Sequence, residues 1–394
     1  MPSPLDGRRF WLAGIGGAGM SGYALLAHAW GAEVRGWDRV RTPYLEQLPP
    51  EIAVEIAPEP PQAPGGWEVF VSTAFAGRIE GGTRAELLSE LVSLRDSIVV
   101  AGAHGKTTTT AMIAFVLHEL GRDPAWLVGA LVPQLGGNAG GGDGWLVAEG
   151  DESDRTLEAL RPKIAVLTNV DLDHHTTFAS RREVEQLFES FLAAAAATVR
   201  GEELEPYAGE LAVEGEHNRR NAATALAALE LVGVDRIDAE RCVAEFHGAG
   251  RRLERRGEAG GVEVVDDYAH HPAEIAAAIS ALRDGGRVLV LFQPHLYSRT
   301  RHLARELATA LAAADVVAVT DVYAAREDPV EGVGGKLIVD ALTEVRPGMP
   351  IGWTPRLEDG ARFLLERARS GDRIATVGAG DVDGAVPLLL EGLA

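Results

Sequence analysis

The sequence predicts an α/β protein of three domains: an N-terminal Rossmann-like unit, a central P-loop ATPase-like unit on a parallel sheet, and a C-terminal Rossmann-like α/β unit. Three observations carry that reading. Short apolar runs such as "RRFWLAGIG", "SIVVAGA" and "RVLVLFQP" alternate with segments of helical apolar spacing, the pattern of parallel strands joined by crossover helices. Two runs lead into glycine loops that open helices, "GIGGAGMSG" and "GAHGKTTTT". Others end in clustered polar residues, as strands do where an open α/β sheet binds its ligand.

Length and composition bound the rest. At 394 residues the chain has room for domains at 1–96, 97–245 and 246–394, each with its own core. A formal net charge of −21 argues against a nucleic-acid or membrane-surface partner, because phosphate backbones are bound by positive faces. Cys242 is the single cysteine, which rules out an internal disulfide framework and suits a reducing cytoplasm. The N-terminus has no apolar stretch ending in a cleavage site. No apolar run approaches the roughly 18 residues of a membrane span. A cytoplasmic location without membrane insertion is expected. Lysine occurs only at Lys106, Lys163 and Lys336, which makes a lysine inside a glycine loop more notable.

In the first domain "RRFWLAGIG" is a strand, "MSGYALLAHAWG" a helix stopped by Gly31, and "AEVRGWD" a second strand. Gly14, Gly16 and Gly19 have the G-x-G-x-x-G spacing, and Asp38 follows Gly19 by 19 residues. This is the fingerprint of a dinucleotide-binding βαβ unit, with an acid placed for a ribose hydroxyl. "LPPEIAVEIAPEPPQAPGG" is too rich in proline for regular structure and reads as loop. "WEVFVSTA" resumes as a strand and "TRAELLSELVSLRD" as an amphipathic helix.

In the second domain Gly102, Gly105, Lys106 and Thr107 stand between a strand and a helix. Backbone N–H groups at such a turn cradle phosphate oxygens, and the helix N-terminus favours their charge. Lys106 would reach the β- and γ-phosphates and the Thr107 hydroxyl would hold Mg²⁺. The loop is two residues shorter than the usual G-x-x-x-x-G-K-[ST]. "GWLVAEGDES" and "KIAVLTNVD" read as buried parallel strands, "REVEQLFESFLAAAAATV" and "HNRRNAATALAALELVGV" as helices. The glycine cluster "GGNAGGGDG" at 136–144 reads as a flexible loop.

Polar clusters mark the strand ends. Glu149, Asp151, Glu152 and Asp154 follow one apolar strand, and Asp173, His174 and His175 follow the next. Two readings stay open: solvated turns for most of these residues, or one carboxylate and one imidazole holding a second divalent cation. In the third domain "VVDDYAHHPAEI" gathers Asp266, Asp267, Tyr268, His270 and His271, and "FQPHLYSRTR" gathers His295, Tyr297 and Arg299. Asn218 and Arg252 are further polar candidates, or else helix-cap and surface residues.

Taken in order, "GIGGAGMSG", "RAELLSEL", "GAHGKTTTT", "EGDESD", "TNVDLDHH", "GEHNRRNA", "RRLE", "DDYAHHPAEI", "FQPHLYSRT" and "DVYAAREDP" resemble the Mur ligases of peptidoglycan synthesis, in particular members that act on UDP-N-acetylmuramate. The resemblance spans nearly the whole chain. It implies ATP-dependent, ADP-forming amide synthesis through an acyl phosphate, with L-alanine as the amine and no hydride chemistry. It gives the first loop to the UDP part of the substrate, through Gly14, Gly16, Gly17, Ala18, Gly19, Met20, Ser21, Asp38 and Ser72. It gives ATP to Gly102, His104, Gly105, Lys106, Thr107, Thr108, Asn218, Arg252 and Asp267. Thr107, Glu149 and His174 would hold two Mg²⁺ ions, with Lys106, Glu149 and His174 as the catalytic set. Tyr268, His270, His295 and Arg299 would line the acceptor site of a monomer or weak homodimer.

The sequence departs from the family pattern in several places. Ala103 stands where threonine is usual. Leu296 stands where the alanine-adding members have arginine, which removes a contact to a substrate carboxylate. Only 43 positions (174 to 217) separate His174 from His217, about half the family's spacing, so the small strand-rich part of the central domain is expected to be largely deleted. No lysine lies between Lys163 and Lys336, whereas several sister ligases carry a carbamylated lysine after the metal-binding histidine. A murein-peptide recycling ligase and a non-catalytic nucleotide-binding relative are the alternatives. A nicotinamide dehydrogenase rests on the first loop alone. Lys106→Ala is expected to abolish phosphate release with the fold intact.

Overall fold

The computed structural model describes residues 3–172, 177–283, 286–325 and 327–394. The first domain holds β1 (Arg9–Ala13), α1 (Ala18–Ala29), β2 (Glu33–Asp38), β3 (Ala53–Ile56), β4 (Glu68–Val71), β5 (Gly82–Thr83) and α2 (Arg84–Ser93). Its five strands form a wholly parallel sheet in the order β3-β2-β1-β4-β5. Helix α1 stops at Trp30, and Gly31 turns the chain at φ +96°, a conformation that suits glycine. Helix α2 opens on a reciprocal cap between Thr83 and Glu86.

The proline-rich stretch is not all loop. Ala53–Ile56 pairs in parallel with Arg35–Asp38 at the sheet edge. Its prolines lie on either side of the paired residues, so none removes a ladder N–H.

The second domain holds β6 (Ser97–Ala101), α3 (Lys106–Glu119), β7 (Ala125–Val132), β8 (Gly137–Gly140), β9 (Leu146–Glu149), β10 (Ile164–Leu167), α4 (Arg181–Ala193), β11 (Ala197–Arg200), α5 (Glu216–Leu231) and α6 (Arg236–Ala244). The sheet order is β11-β10-β6-β9-β7-β8, parallel except for the β7–β8 pair. The glycine cluster therefore supplies an edge strand rather than a flexible loop. Its glycines serve close approach: a Cβ on Gly141 would collide with Ala29 of α1, and one on Gly140 with the Trp126 ring. Asn138, fully buried, donates from Nδ2 to the Ala18 carbonyl (2.7 Å) and the Ser21 hydroxyl (3.3 Å). The first two sheets are thereby joined through α1. Among the described residues, 201–215 between β11 and α5 contain one short 3₁₀ turn and no strand.

The third domain holds β12 (Glu254–Ala259), β13 (Val262–Asp267), α7 (Pro272–Arg283), β14 (Val288–Phe292), α8 (Tyr297–Leu311), β15 (Val316–Val319), α9 (Gly335–Val345), β16 (Ile351–Trp353), α10 (Leu357–Leu365), β17 (Arg373–Val377) and α11 (Val386–Leu393). The order is β12-β13-β17-β14-β15-β16, with β12 antiparallel to β13. Alternate residues fill two cores. Val265, Val290, Phe292, Val317 and Val377 face one side, and Val264, Leu289, Leu291, Val316 and Ile374 the other. Burial on both faces explains why these strands read as unbroken apolar runs.

The chain divides into two compact units. The first carries the two N-terminal sheets as far as Gly250; the second begins at Arg251 and includes Val213–His217.

Candidate functional site

Strand β6 delivers the chain into the phosphate loop, where geometry requires both glycines. Gly102 lies at φ +132° and Gly105 at φ +82°, backbone states that side chains rarely adopt. A Cβ on Gly102 would strike the Thr168 hydroxyl, and one on Gly105 the Asn221 amide. The end of β10 clamps the loop. The Thr168 hydroxyl donates to the His104 carbonyl (2.6 Å), as does Asn169 Nδ2 (2.8 Å). Asn169 Oδ1 accepts the His104 N–H (2.9 Å). The His104 ring pairs with Asp171 at 3.5 Å.

Lys106 turns back over this loop. Its ammonium donates to the carbonyls of Gly102 (2.7 Å) and Ala103 (3.2 Å) and to Glu152 (3.0 Å). Burial works to lower its pKa, but Glu152, then Asp151 and Glu149, outweigh that and hold it above the ordinary lysine value. Thr107, the next residue of α3, is buried, with its hydroxyl 3.0 Å from both oxygens of Glu149. The Gly129 N–H donates to Glu149 Oε2 (2.8 Å), and a Cβ on Gly129 would sit 2.6 Å from that oxygen. The hydroxyl and carboxylate form an all-oxygen donor set of the kind a hard divalent cation takes. Thr108 is buried in the same turn. His174 lies outside the described residues, as do Asp173 and His175.

Asn218 on α5 is buried and accepts from Asn221 Nδ2 (3.2 Å), the same Asn221 that lies against Gly105. Sequence reasoning missed Asn221, Thr168, Asn169 and Gly129. For Asn221 the signal was present: the second asparagine of "HNRRNA" lies three residues on, the same face of a helix.

The acidic run after β9 is not a solvated turn. Glu152 is buried on Lys106. Asp151 and Asp154 both meet Arg84, at 2.9 and 3.2 Å. Burial would raise the Asp151 carboxyl, yet Arg84 and then Lys106 hold it well below the usual carboxylate range.

In the first loop Gly14 lies at φ +80°, packed so that a Cβ would strike the Ser72 hydroxyl. Asp38, buried at the end of β2, accepts the Gly16 N–H at Oδ2 and the Arg39 N–H at Oδ1, each at 2.7 Å. It thus braces the loop. Gly17 precedes α1, and Ala18, Gly19, Met20 and Ser21 form its first turn.

The second unit gathers the remaining candidates. Asp267 ends β13 and accepts from the N–H groups of Leu253 and Ala269, each at 2.7 Å. Burial, opposed by Arg252, pushes its carboxyl up to about 6. Arg252 lies over the Tyr268 ring at 5.2 Å. Tyr268, His270, His295 and Tyr323 then follow in a line of ring contacts at 5.6, 5.8 and 5.9 Å. Arg299 is buried, 3.1 Å from His295 Nδ1. Leu296 opens α8 at φ +69°, an uncommon state for a bulky side chain.

Comparison with known proteins follows the same divisions. The Mur ligase middle-domain family matches residues 100–199, and the Mur ligase glutamate ligase domain family matches residues 251–380. The chain is 38% identical to the UDP-N-acetylmuramate–L-alanine ligase of Renibacterium salmoninarum, covering 98% of this chain and 96% of that one. Against the enzyme of the same name from Kineococcus radiotolerans it is also 38% identical, covering 98% and 96%. The crystal structure of UDP-N-acetylmuramate-alanine ligase from Thermotoga maritima superposes with a TM-score of 0.79 at 25% identity, covering 97% of this chain and 98% of that one. A murein peptide ligase from Psychrobacter arcticus shares the fold, with a TM-score of 0.67 at 23% identity, over 98% and 99% of the two chains.

Proposed function

The chain belongs to the Mur ligase family, and from that premise we propose that it is an ATP-dependent, ADP-forming ligase joining L-alanine to UDP-N-acetylmuramate. One observation carries the reading: the Lys106 ammonium is held at the turn of the phosphate loop, one residue from a hydroxyl–carboxylate pair suited to Mg²⁺. The division into domains at 1–96, 97–245 and 246–394 belongs to the same proposal.

The substrate carboxylate is a poor acceptor for an amine. Phosphorylation remedies this: a carboxylate oxygen attacks the γ-phosphorus, the bond to ADP breaks, and an acyl phosphate forms. The amine nitrogen of alanine adds to the acyl carbon, a tetrahedral intermediate collapses, phosphate leaves, and the nitrogen loses its proton. Lys106 exchanges Glu152 and the loop carbonyls for β- and γ-phosphate oxygens, and the amides at the start of α3 receive the rest of their charge. Thr107 and Glu149, with His174, would hold Mg²⁺, which would supply electrostatic neutralisation of phosphoryl charge.

Gly14, Gly16, Gly17, Ala18, Gly19, Met20, Ser21, Asp38 and Ser72 are assigned to the UDP moiety. Gly102, His104, Gly105, Lys106, Thr107, Thr108, Asn218, Arg252 and Asp267 are assigned to ATP. Tyr268, His270, His295 and Arg299 are assigned to the incoming amine. We place the protein in the cytoplasm as a monomer or weak homodimer; no helix among the described residues is long and apolar enough to cross a membrane.

A phosphate-release assay with ATP, Mg²⁺, UDP-N-acetylmuramate and a panel of amines tests the reading. Turnover selective for L-alanine is expected. Turnover only with a peptide would reassign the acceptor to murein-peptide recycling, and silence with every amine despite ATP binding would make the chain a binding protein.

A further inference from the structure

Arg84 is absorbed by none of the roles above, yet its placement is costly. It is the first residue of α2, where the helix macrodipole disfavours a cation. Its guanidinium lies against the first loop, with Nη1 3.3 Å from where a Cβ on Gly19 would stand. On its other side Nη2 meets Asp151 at 2.9 Å and Asp154 at 3.2 Å. Its Nε is buried with no hydrogen-bond partner among the described residues. Tyr23, one turn along α1 from Gly19, is buried close by, where burial foremost pushes its hydroxyl up to about 12.

The two acids lead directly to the phosphate loop. Asp151 lies in the field of both Arg84 and Lys106, and its Oδ1 accepts the Ser153 N–H (2.9 Å). Between these residues stands Glu152, which holds the Lys106 ammonium. Two positions before Asp151 is Glu149, on which Thr107 closes. A single cation from the first domain therefore fixes the segment 150–154 that places both the lysine and the metal-type pair of the second.

We propose that Arg84 is a positioning residue for phosphoryl transfer: acting through Asp151 and Asp154, it registers the phosphate loop against the glycine loop that holds the acid substrate. This rests on the ligase reading. Removing the link misplaces donor against acceptor and leaves each loop able to bind its own ligand. A misplacement near 1 Å suffices for about a 10²-fold loss of rate.

The test uses the full chain and the variants Arg84→Gln, Arg84→Lys, and Arg84→Gln with Asp151→Asn. Calorimetry measures ADP with Mg²⁺ and UDP-N-acetylmuramate, each alone and in the presence of the other; phosphate release gives kcat and KM. For Arg84→Gln we expect affinities for single ligands within about threefold of the parent, loss of an order-tenfold mutual effect between them, and kcat down about 10²-fold. Arg84→Lys should recover part of the rate, because it keeps the charge and loses the fork. The double variant should be no slower than Arg84→Gln. A rise in KM for UDP-N-acetylmuramate with kcat unchanged would overturn the proposal in favour of direct substrate contact. Equal loss of both affinities, in Arg84→Lys as well, would overturn it in favour of a merely structural role. If the parent shows no alanine-dependent turnover, the ligase reading fails on its own; the mutual effect in calorimetry still decides the role of Arg84.

Discussion

Lys106 shows why a residue's partners must be known before its substitution is judged. Its side chain is 15% exposed and that of its partner Glu152 is 4% exposed. Lys106→Ala therefore removes the proposed phosphate ligand and also strands a carboxylate in the interior. To the sequence-based expectation of an intact fold the structure adds a stability cost: breaking one side of a buried pair costs about 3–5 kcal/mol. We expect Lys106→Ala to lower phosphate release by about 10²–10³-fold and to lower the unfolding midpoint together with it. Adding Glu152→Gln should return most of the stability and none of the activity, because the two losses have different origins. Denaturant melts and phosphate release on the single and double variants check this. Activity regained by the double variant would mean that Lys106 serves only to neutralise Glu152. The sequence made Lys106 and Thr107 legible because loop and helix start are local features. It hid the pairing of Glu152 because the partner comes from another segment, and a charge run looks the same whether solvated or paired.

At the scale of elements, strands buried on both faces were legible as apolar runs, and helices by their spacing. Several strands were not: Ala197–Arg200 reads in the sequence as the end of the helix that in fact stops at Ala193, and two others show the reasons most plainly. Ala53–Ile56 has little buried surface at the sheet edge and sits among prolines, so backbone pairing alone defines it. Gly137–Gly140 lacks the β-branched side chains by which strands are recognised; Gly140 gives room to the Trp126 ring, and Gly141, the next residue, lets Ala29 of α1 approach. That second case is testable. A methyl on Gly141 meets Ala29, whereas a methyl on Gly65 meets nothing within 4 Å. Gly141→Ala should therefore destabilise the first unit by about 1–3 kcal/mol through overpacking, and Gly65→Ala should change stability little. Equal, small effects in urea unfolding would return 136–144 to a flexible loop.

At the scale of the molecule, the chain keeps the candidate groups while omitting a stretch that its relatives possess. Its alignment with the Renibacterium salmoninarum enzyme runs over 452 positions although the chain has 394 residues. Lys106, Thr107, Glu149 and Asn218 stand on α3, β9 and α5; none depends on the short connection between β11 and α5. The nucleotide response should then survive the deletion and fall mainly on the unit that carries the phosphate loop. A ligand present at about 100 times its Kd stabilises the state that binds it by roughly 2.7 kcal/mol. We expect ADP with Mg²⁺ to raise the melting of the unit that ends at Gly250 directly, with any shift of the unit beginning at Arg251 smaller. Chelating the metal should remove part of the gain. In Glu149→Gln the gain should be the same with and without metal, since the variant loses the proposed ligand to the ion and keeps the loop amides proposed for the phosphates. Scanning calorimetry with and without a chelator decides it. A gain indifferent to the metal in the parent chain would remove Thr107 and Glu149 from the metal site, and a gain confined to the second unit would remove the loop at 102–107 from nucleotide binding.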